Sequence, residues 1–183
     1  MGRSNARELN FWTKEEFDLF IETFGNTEEM YRVIFKLLFW AGCRVGEALA
    51  LYYEDIDFKN MTISIRKTYY RRCKQDFITE PKTEKSNRTV TIPKFLMEEL
   101  EKYTDKLYGL KPHDRIFPIA DRAVQKKMRQ KTDKHKLKAI RVHDLRHSHV
   151  AFLIEKEVQP LVIAQRVGHE SVSTTMNVYG HLY

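Results

Sequence analysis

The sequence predicts a mainly α-helical fold carrying one small three-stranded antiparallel β-sheet. Three observations point there. Apolar residues recur every three or four positions along most of the chain, the signature of helices with one buried face. The period drops to two only within three short stretches between residues 61 and 92. The 183 residues are 42% hydrophobic with only seven Gly and five Pro, which suits one domain with a real core and excludes a disordered or collagenous chain.

Thr13-Lys14-Glu15-Glu16 reads as a capping box, in which the Thr13 hydroxyl and Glu16 carboxylate satisfy reciprocal backbone donors. Phe17, Phe20, Ile21 and Phe24 then follow at helical spacing. A second helix is expected from about Thr27 to Ala41, with Gly42 supplying the left-handed conformation that ends it. A third begins near Arg44. Met61 to Arg66 alternates apolar and polar residues, and Phe77 to Thr79 and Arg88 to Ile92 are two further short strands; together they are read as the sheet. Pro93 closes it. Leu96, Leu100, Tyr103 and Leu107 mark a charged helix ending near Gly109. Helices are expected over Arg122 to Lys134, Asp144 to Lys156, Pro160 to Val167 and Val172 to Tyr179, with Pro160 in a first turn and Gly168 as a C-terminal cap.

Cys43 and Cys73 are too few for a disulfide framework and read as reduced thiols, which predicts an intracellular, cytoplasmic protein. The longest uncharged apolar run, Leu37 to Cys43, is seven residues, far short of the roughly 20 a membrane span needs, so no membrane is expected as a partner. Net charge is +7, unevenly spread. Residues 59–88 hold nine Lys or Arg against three acids, and residues 121–149 hold ten against three. Two basic stretches in an otherwise acidic chain suit a phosphate backbone, although solvated Lys-rich surface has the same composition.

Several residues have the chemistry for a site. His143 and Arg146, in His143-Asp144-Leu145-Arg146-His147, lie one turn apart where a basic loop becomes a helix. A guanidinium offers a planar fork for two phosphate oxygens, while a surface salt bridge is its ordinary use. His143, His147 and His149 also permit a metal reading, but no second motif adds a carboxylate or thiolate set, and no metal is expected. Arg44 begins a helix with Glu47 one turn on, positioned to orient the guanidinium. Lys82 falls on a hairpin between strands. His169 follows Gly168 past a helix end, and Tyr179 comes ten residues later in Thr174-Thr175-Met176-Asn177-Val178-Tyr179-Gly180-His181.

Taken in order, Arg44, Lys82, His143 with Arg146, His169 and Tyr179 resemble the pattern of the tyrosine recombinase, or phage integrase, family. The resemblance runs from about Asn10 to Tyr183, with residues 1–9 as a tail, and departs from the usual pattern at Val167, where relatives have Leu before Gly-His. It implies the tyrosine recombinase catalytic-domain fold and a metal-free, cofactor-free reaction on double-stranded DNA. Tyr179 would attack a phosphodiester to give a 3′-phosphotyrosine and a free 5′-hydroxyl. Arg44 and Arg146 would stabilise charge on the phosphate, and Lys82 would protonate the leaving oxygen. His143 would assist proton transfer at the tyrosine, and His169 would donate a hydrogen bond to the phosphate. A type IB topoisomerase shares this constellation, and a catalytically silent DNA-binding protein shares the fold.

The resemblance also implies further recombinase protomers as partners, four of them on DNA in the full-length protein, and an upstream DNA-binding domain that these residues do not include. With four residues after Tyr179, the chain is expected to be a monomer whose last turn is loosely held, leaving Tyr179 away from Arg44 and Arg146.

Overall fold

The computed structural model describes residues 10–80, 87–169 and 171–180. Eight α-helices and five short strands are present among them: α1 (Lys14–Glu22), α2 (Glu29–Ala41), α3 (Val45–Leu49), β1 (Ile56–Asp57), β2 (Thr62–Ile65), β3 (Thr68–Arg72), β4 (Gln75–Thr79), β5 (Arg88–Thr91), α4 (Lys94–Thr104), α5 (Asp121–His135), α6 (Asp144–Glu155), α7 (Pro160–Val167) and α8 (Val172–Tyr179). The capping box forms as the sequence dictates: Glu16 N donates to Thr13 Oγ1 at 3.3 Å, and Thr13 N donates to the Glu16 carboxylate at 2.9 Å. A short 3₁₀ turn, Asn26–Glu28, precedes α2 where the sequence suggests one continuous helix.

The sheet differs from expectation in its membership. Three strands do pair antiparallel, in the order β1-β2-β5, with Ile63 opposite both Ile56 and Val90. Phe77 to Thr79 is not among them. It belongs to a separate two-stranded hairpin, β3-β4, that turns at Cys73 and Lys74. Both turn residues have positive φ, 50° and 62°, the geometry that matches the twist of a two-residue hairpin, but here it is reached without the Asn-Gly or Asp-Gly that would announce it. The basic tail of β3 hides its period, and β1 is only two residues long. The helix expected to reach Gly109 ends at Thr104, although Leu107 still packs against the core.

The main core is aromatic-rich. Phe17 stacks on Phe39 with ring centroids 4.0 Å apart, Phe20 meets Phe35 edge-on at 4.9 Å, and Trp12 lies beside Phe20. Burial of each such side chain contributes about 1.5–3 kcal/mol. A smaller cluster of Val150, Ile154, Ile163, Val167 and Tyr179 joins α6, α7 and α8. The last helix is therefore packed through the ring of Tyr179, which is 1% exposed, contrary to the loosely held turn expected.

Two glycines let the elements approach. Gly42 caps α2 at φ +63°, and a Cβ there would lie 2.3 Å from the His149 ring. A Cβ on Gly46 would come within 2.7 Å of the Tyr69 carbonyl oxygen, so α3 can lie directly on β3.

Candidate active site

The site is built where α3, β5, α6, α7 and α8 converge. The loop after α2 turns at Gly42, and Arg44 then serves as N-cap of α3. Its backbone N donates to Glu47 Oε2 at 2.8 Å, and its Nη1 donates to Glu47 Oε1 at 2.9 Å. Glu47 is buried and also receives Arg88 from β5, with Nη2 to Oε2 at 2.8 Å. Burial works against the Glu47 charge, but Arg88 and then Arg44 outweigh it and hold the carboxyl below its ordinary range. One carboxylate thus fixes two guanidiniums, and Arg44 keeps a partly exposed side chain. Arg88 also donates from Nε to the Arg166 carbonyl at 2.9 Å, tying β5 to α7.

Arg146 lies on α6 and is nearly fully buried. Its Nη1 donates to the Gly42 carbonyl at 2.9 Å, whereas Nη2 is buried with no hydrogen-bond partner among the described residues. Burial, and then the neighbouring Arg44 charge, lower its pKa to about 10. The guanidinium remains charged at neutral pH. An unsatisfied buried donor of this kind costs free energy until an acceptor arrives, and an anion supplies both the acceptor and the opposite charge.

Tyr179 ends α8, and its hydroxyl hydrogen-bonds Nδ1 of His147 on α6. Burial pushes the phenol pKa up to about 12, partly offset by Arg146. His143, the α6 N-cap, stands edge-on to His147 with ring centroids 5.3 Å apart. Burial first, and then cationic or histidine neighbours, lowers the pKa of His143, of His147 and of His169, the last to about 4. All three are neutral at physiological pH. His169 lies just past the left-handed cap at Gly168, with Nδ1 2.8 Å from Thr175 Oγ1 on α8.

Arg44, His143, Arg146, His169 and Tyr179 are therefore brought together, close enough that Arg44 and Arg146 act electrostatically on both histidines. Tyr179 does not sit apart from them, as the expectation about the chain end had it. Lys82 lies outside the described residues. Among the described residues, no three His, Cys, Asp or Glu side chains gather in an arrangement that could hold a metal ion; His147 Nδ1 meets Tyr179, and His149 Nε2 accepts from Arg166 Nε at 3.0 Å. Sequence reasoning missed Arg88, His147 and Thr175 as site residues. The spacing of His147 from His143 was visible, but only its pairing across α8 gives it a purpose.

A cleft of about 1440 Å³ opens beside His143 and His147. Arg122, Lys126 and Arg129, spaced on one face of α5, line it. Lys127 and Lys131 of the same helix are instead tied to Glu28, so part of the second basic stretch is structural. Among the described residues, no helix is long and apolar enough to cross a membrane.

Residues 10–183 match the phage integrase family, and the chain belongs to it. The ICEBs1 integrase of Bacillus subtilis (strain 168) is 36% identical over 190 residues, covering 97% of this chain and 52% of that protein. The integrase of Staphylococcus phage L54a is 32% identical, covering 77% and 45%. The chain thus spans about half the length of the curated relatives it matches. The Tn1549 transposon integrase, solved in complex with transposon right end DNA, shares the fold at TM-score 0.83 and 18% identity, covering 97% of this chain and 64% of that one. The crystal structure of XerA recombinase shares it at TM-score 0.76 and 21% identity, covering all of this chain and 62% of that one.

Proposed function

We propose that this chain is the catalytic domain of a site-specific DNA recombinase, cutting and rejoining strands through a 3′-phosphotyrosine on Tyr179. The observation that carries the reading is a buried tyrosine, its hydroxyl on His147, gathered around Arg146 together with Arg44, where Arg146 holds a buried donor with no hydrogen-bond partner among the described residues. Fixed cations aimed at a phosphate stabilise the charge that builds on its nonbridging oxygens, without reorganisation during the step. Arg44 and Arg146 fill that role. His169 donates a further hydrogen bond to the phosphate, and His143 assists proton transfer. Lys82 protonates the departing 5′-oxygen.

The rest of the reading follows from the same site. The basic face of α5 lies against the DNA backbone and leads the strand to the tyrosine. Phosphotyrosine preserves the energy of the cleaved bond, so no cofactor is needed. The names of the relatives, integrases and recombinases, support strand exchange over relaxation alone. The whole protein works in the cytoplasm on nucleoid DNA, four protomers together.

The test is a pool of duplexes with one nick and a randomised core. The chain should become covalently attached to DNA. Digestion of the adduct should yield a peptide containing Tyr179 joined to a 3′-phosphate, and the released strand should bear a 5′-hydroxyl that a kinase labels directly. Attachment through a 5′-phosphate, or through another residue, would overturn the reading.

A further inference from the structure

The tyrosine touches His147, for which the motif pattern supplies no role. His147 lies one turn beyond His143 on α6, and its Nδ1 is the atom that meets the Tyr179 hydroxyl. The His143 ring is its edge-on neighbour and has no hydrogen bond to that hydroxyl among the described residues. His169 Nδ1 is engaged by Thr175. Geometry therefore separates three histidines that their residue type leaves equivalent: the atom in contact with the tyrosine hydroxyl belongs to His147, and His143 can assist proton transfer there only from behind the His147 ring.

We propose that His147 is a catalytic residue of this site, holding the Tyr179 hydroxyl through Nδ1 and taking its proton as the oxygen attacks phosphorus. The inference rests on the reading of Tyr179 as nucleophile. A buried phenol whose pKa is raised to about 12 does not ionise by itself at neutral pH, so attack requires a proton acceptor at that oxygen. His147 is kept neutral first by burial and then by His143 and Arg146 on its own helix and Arg141 just before it, with His169 facing it from beyond α7; Asp144 pulls the other way and is outweighed. Its Nδ1 lone pair is then free to receive the proton, with the ring hydrogen on Nε2.

The step balances within the site. The Tyr179 Oη–P bond forms as the phenolic proton passes to His147 Nδ1. The bond from phosphorus to the 5′-oxygen breaks, and that oxygen takes a proton from Lys82 under the proposed function. On rejoining, the 5′-hydroxyl gives its proton back to Lys82 and attacks phosphorus. The Oη–P bond then breaks, and His147 returns its proton to the tyrosine oxygen.

The experiment uses a nicked duplex on which the parent chain forms its adduct, with single-turnover rates measured at saturating DNA. His147→Ala should slow adduct formation by about 100-fold or more, the ordinary size of a missing general base. His147→Asn places an amide near the position of Nδ1 but offers no basic nitrogen, and it should stay comparably slow. Replacing Tyr179 with a more acidic fluorotyrosine should recover much of the His147→Ala defect while changing the parent little. A parental rate in His147→Asn means that the contact only positions the hydroxyl, and overturns the proposal. So does an unslowed His147→Ala, or a defect that fluorotyrosine leaves as large; the fluorotyrosine comparison also separates a chemical defect from a misfolded variant. Adduct in Tyr179→Phe, or none with the parent on any duplex, instead defeats the nucleophile reading itself.

Discussion

Arg146 donates from Nη1 to the carbonyl oxygen of Gly42, 2.9 Å away and 104 residues earlier in the chain. The bond anchors one arm of the guanidinium on the left-handed cap of α2 and leaves Nη2 buried without a partner among the described residues. The fork is thus held from one side and open on the other.

Arg146→Lys should therefore cost much more than its charge suggests. An ammonium is a point charge and cannot keep the Gly42 carbonyl while presenting a second rigid donor to a phosphate. We expect adduct formation at saturating DNA to fall by about 10²–10³-fold, with DNA affinity little changed. A near-parental rate in single-turnover gels would remove Arg146 from the chemistry.

Arg88→Ala should act on stability. Arg88 and Glu47 are both buried, and removing the arginine leaves the carboxylate with Arg44, whose side chain is partly in solvent. Breaking one side of a buried pair costs about 3–5 kcal/mol. Urea unfolding should report a loss of that order, and Glu47→Gln in the same background should restore part of it. A loss below about 1 kcal/mol would mean that solvent already reaches the pair.

Much of this arrangement was legible in the sequence. The helices from α5 to α8 lie within a residue or two of the expected bounds, and for α7 the cause is explicit in the sequence: Pro160 opens it and Gly168 closes it. The order of Arg44, His143, Arg146, His169 and Tyr179 was readable as a family pattern. The β3-β4 hairpin was not, since Cys73 and Lys74 adopt left-handed conformations that their side chains do not advertise. Nor was the Arg88–Glu47 pair, whose partners stand 41 residues apart. His147 needed the packing of α8 on α6, a tertiary event with no local signal.

Acidification should weaken the fold between pH 7.5 and 5.5. His143, His147, His149 and His169 all have pKa values below the ordinary 6.5 in the folded protein, His169 at about 4. The unfolded chain binds more protons in this range, so their contribution is present above about pH 6.5 and is lost as pH falls toward the folded values. Glu28, with a pKa of about 2, and Glu47 act only at lower pH. Thermal unfolding followed by circular dichroism should show Tm falling by about 2–4 °C for each kcal/mol of stability removed. A flat or rising Tm would contradict the neutral histidines.

The basic face of α5 should set the salt dependence of DNA binding. Arg122, Lys126 and Arg129 line the cleft beside His143 and make no salt bridge among the described residues. Replacing all three with Ala should reduce the slope of log affinity against log salt by about 0.9 for each phosphate that is no longer neutralised. Replacing Lys127, which is tied to Glu28, should change it much less. Equal slopes in parent and triple variant would place the DNA elsewhere.

The central claim is that Tyr179 makes the covalent bond to DNA, and Tyr179→Phe tests it most directly. The substitution removes one oxygen and its hydrogen bond with His147, while the ring can keep its place in the cluster of Val150, Ile163 and Val167. On end-labelled nicked duplex run in denaturing gels, the variant should bind DNA as the parent does and give no adduct at any time. Adduct in Tyr179→Phe at the parental level would contradict the account, because another residue would then be the nucleophile.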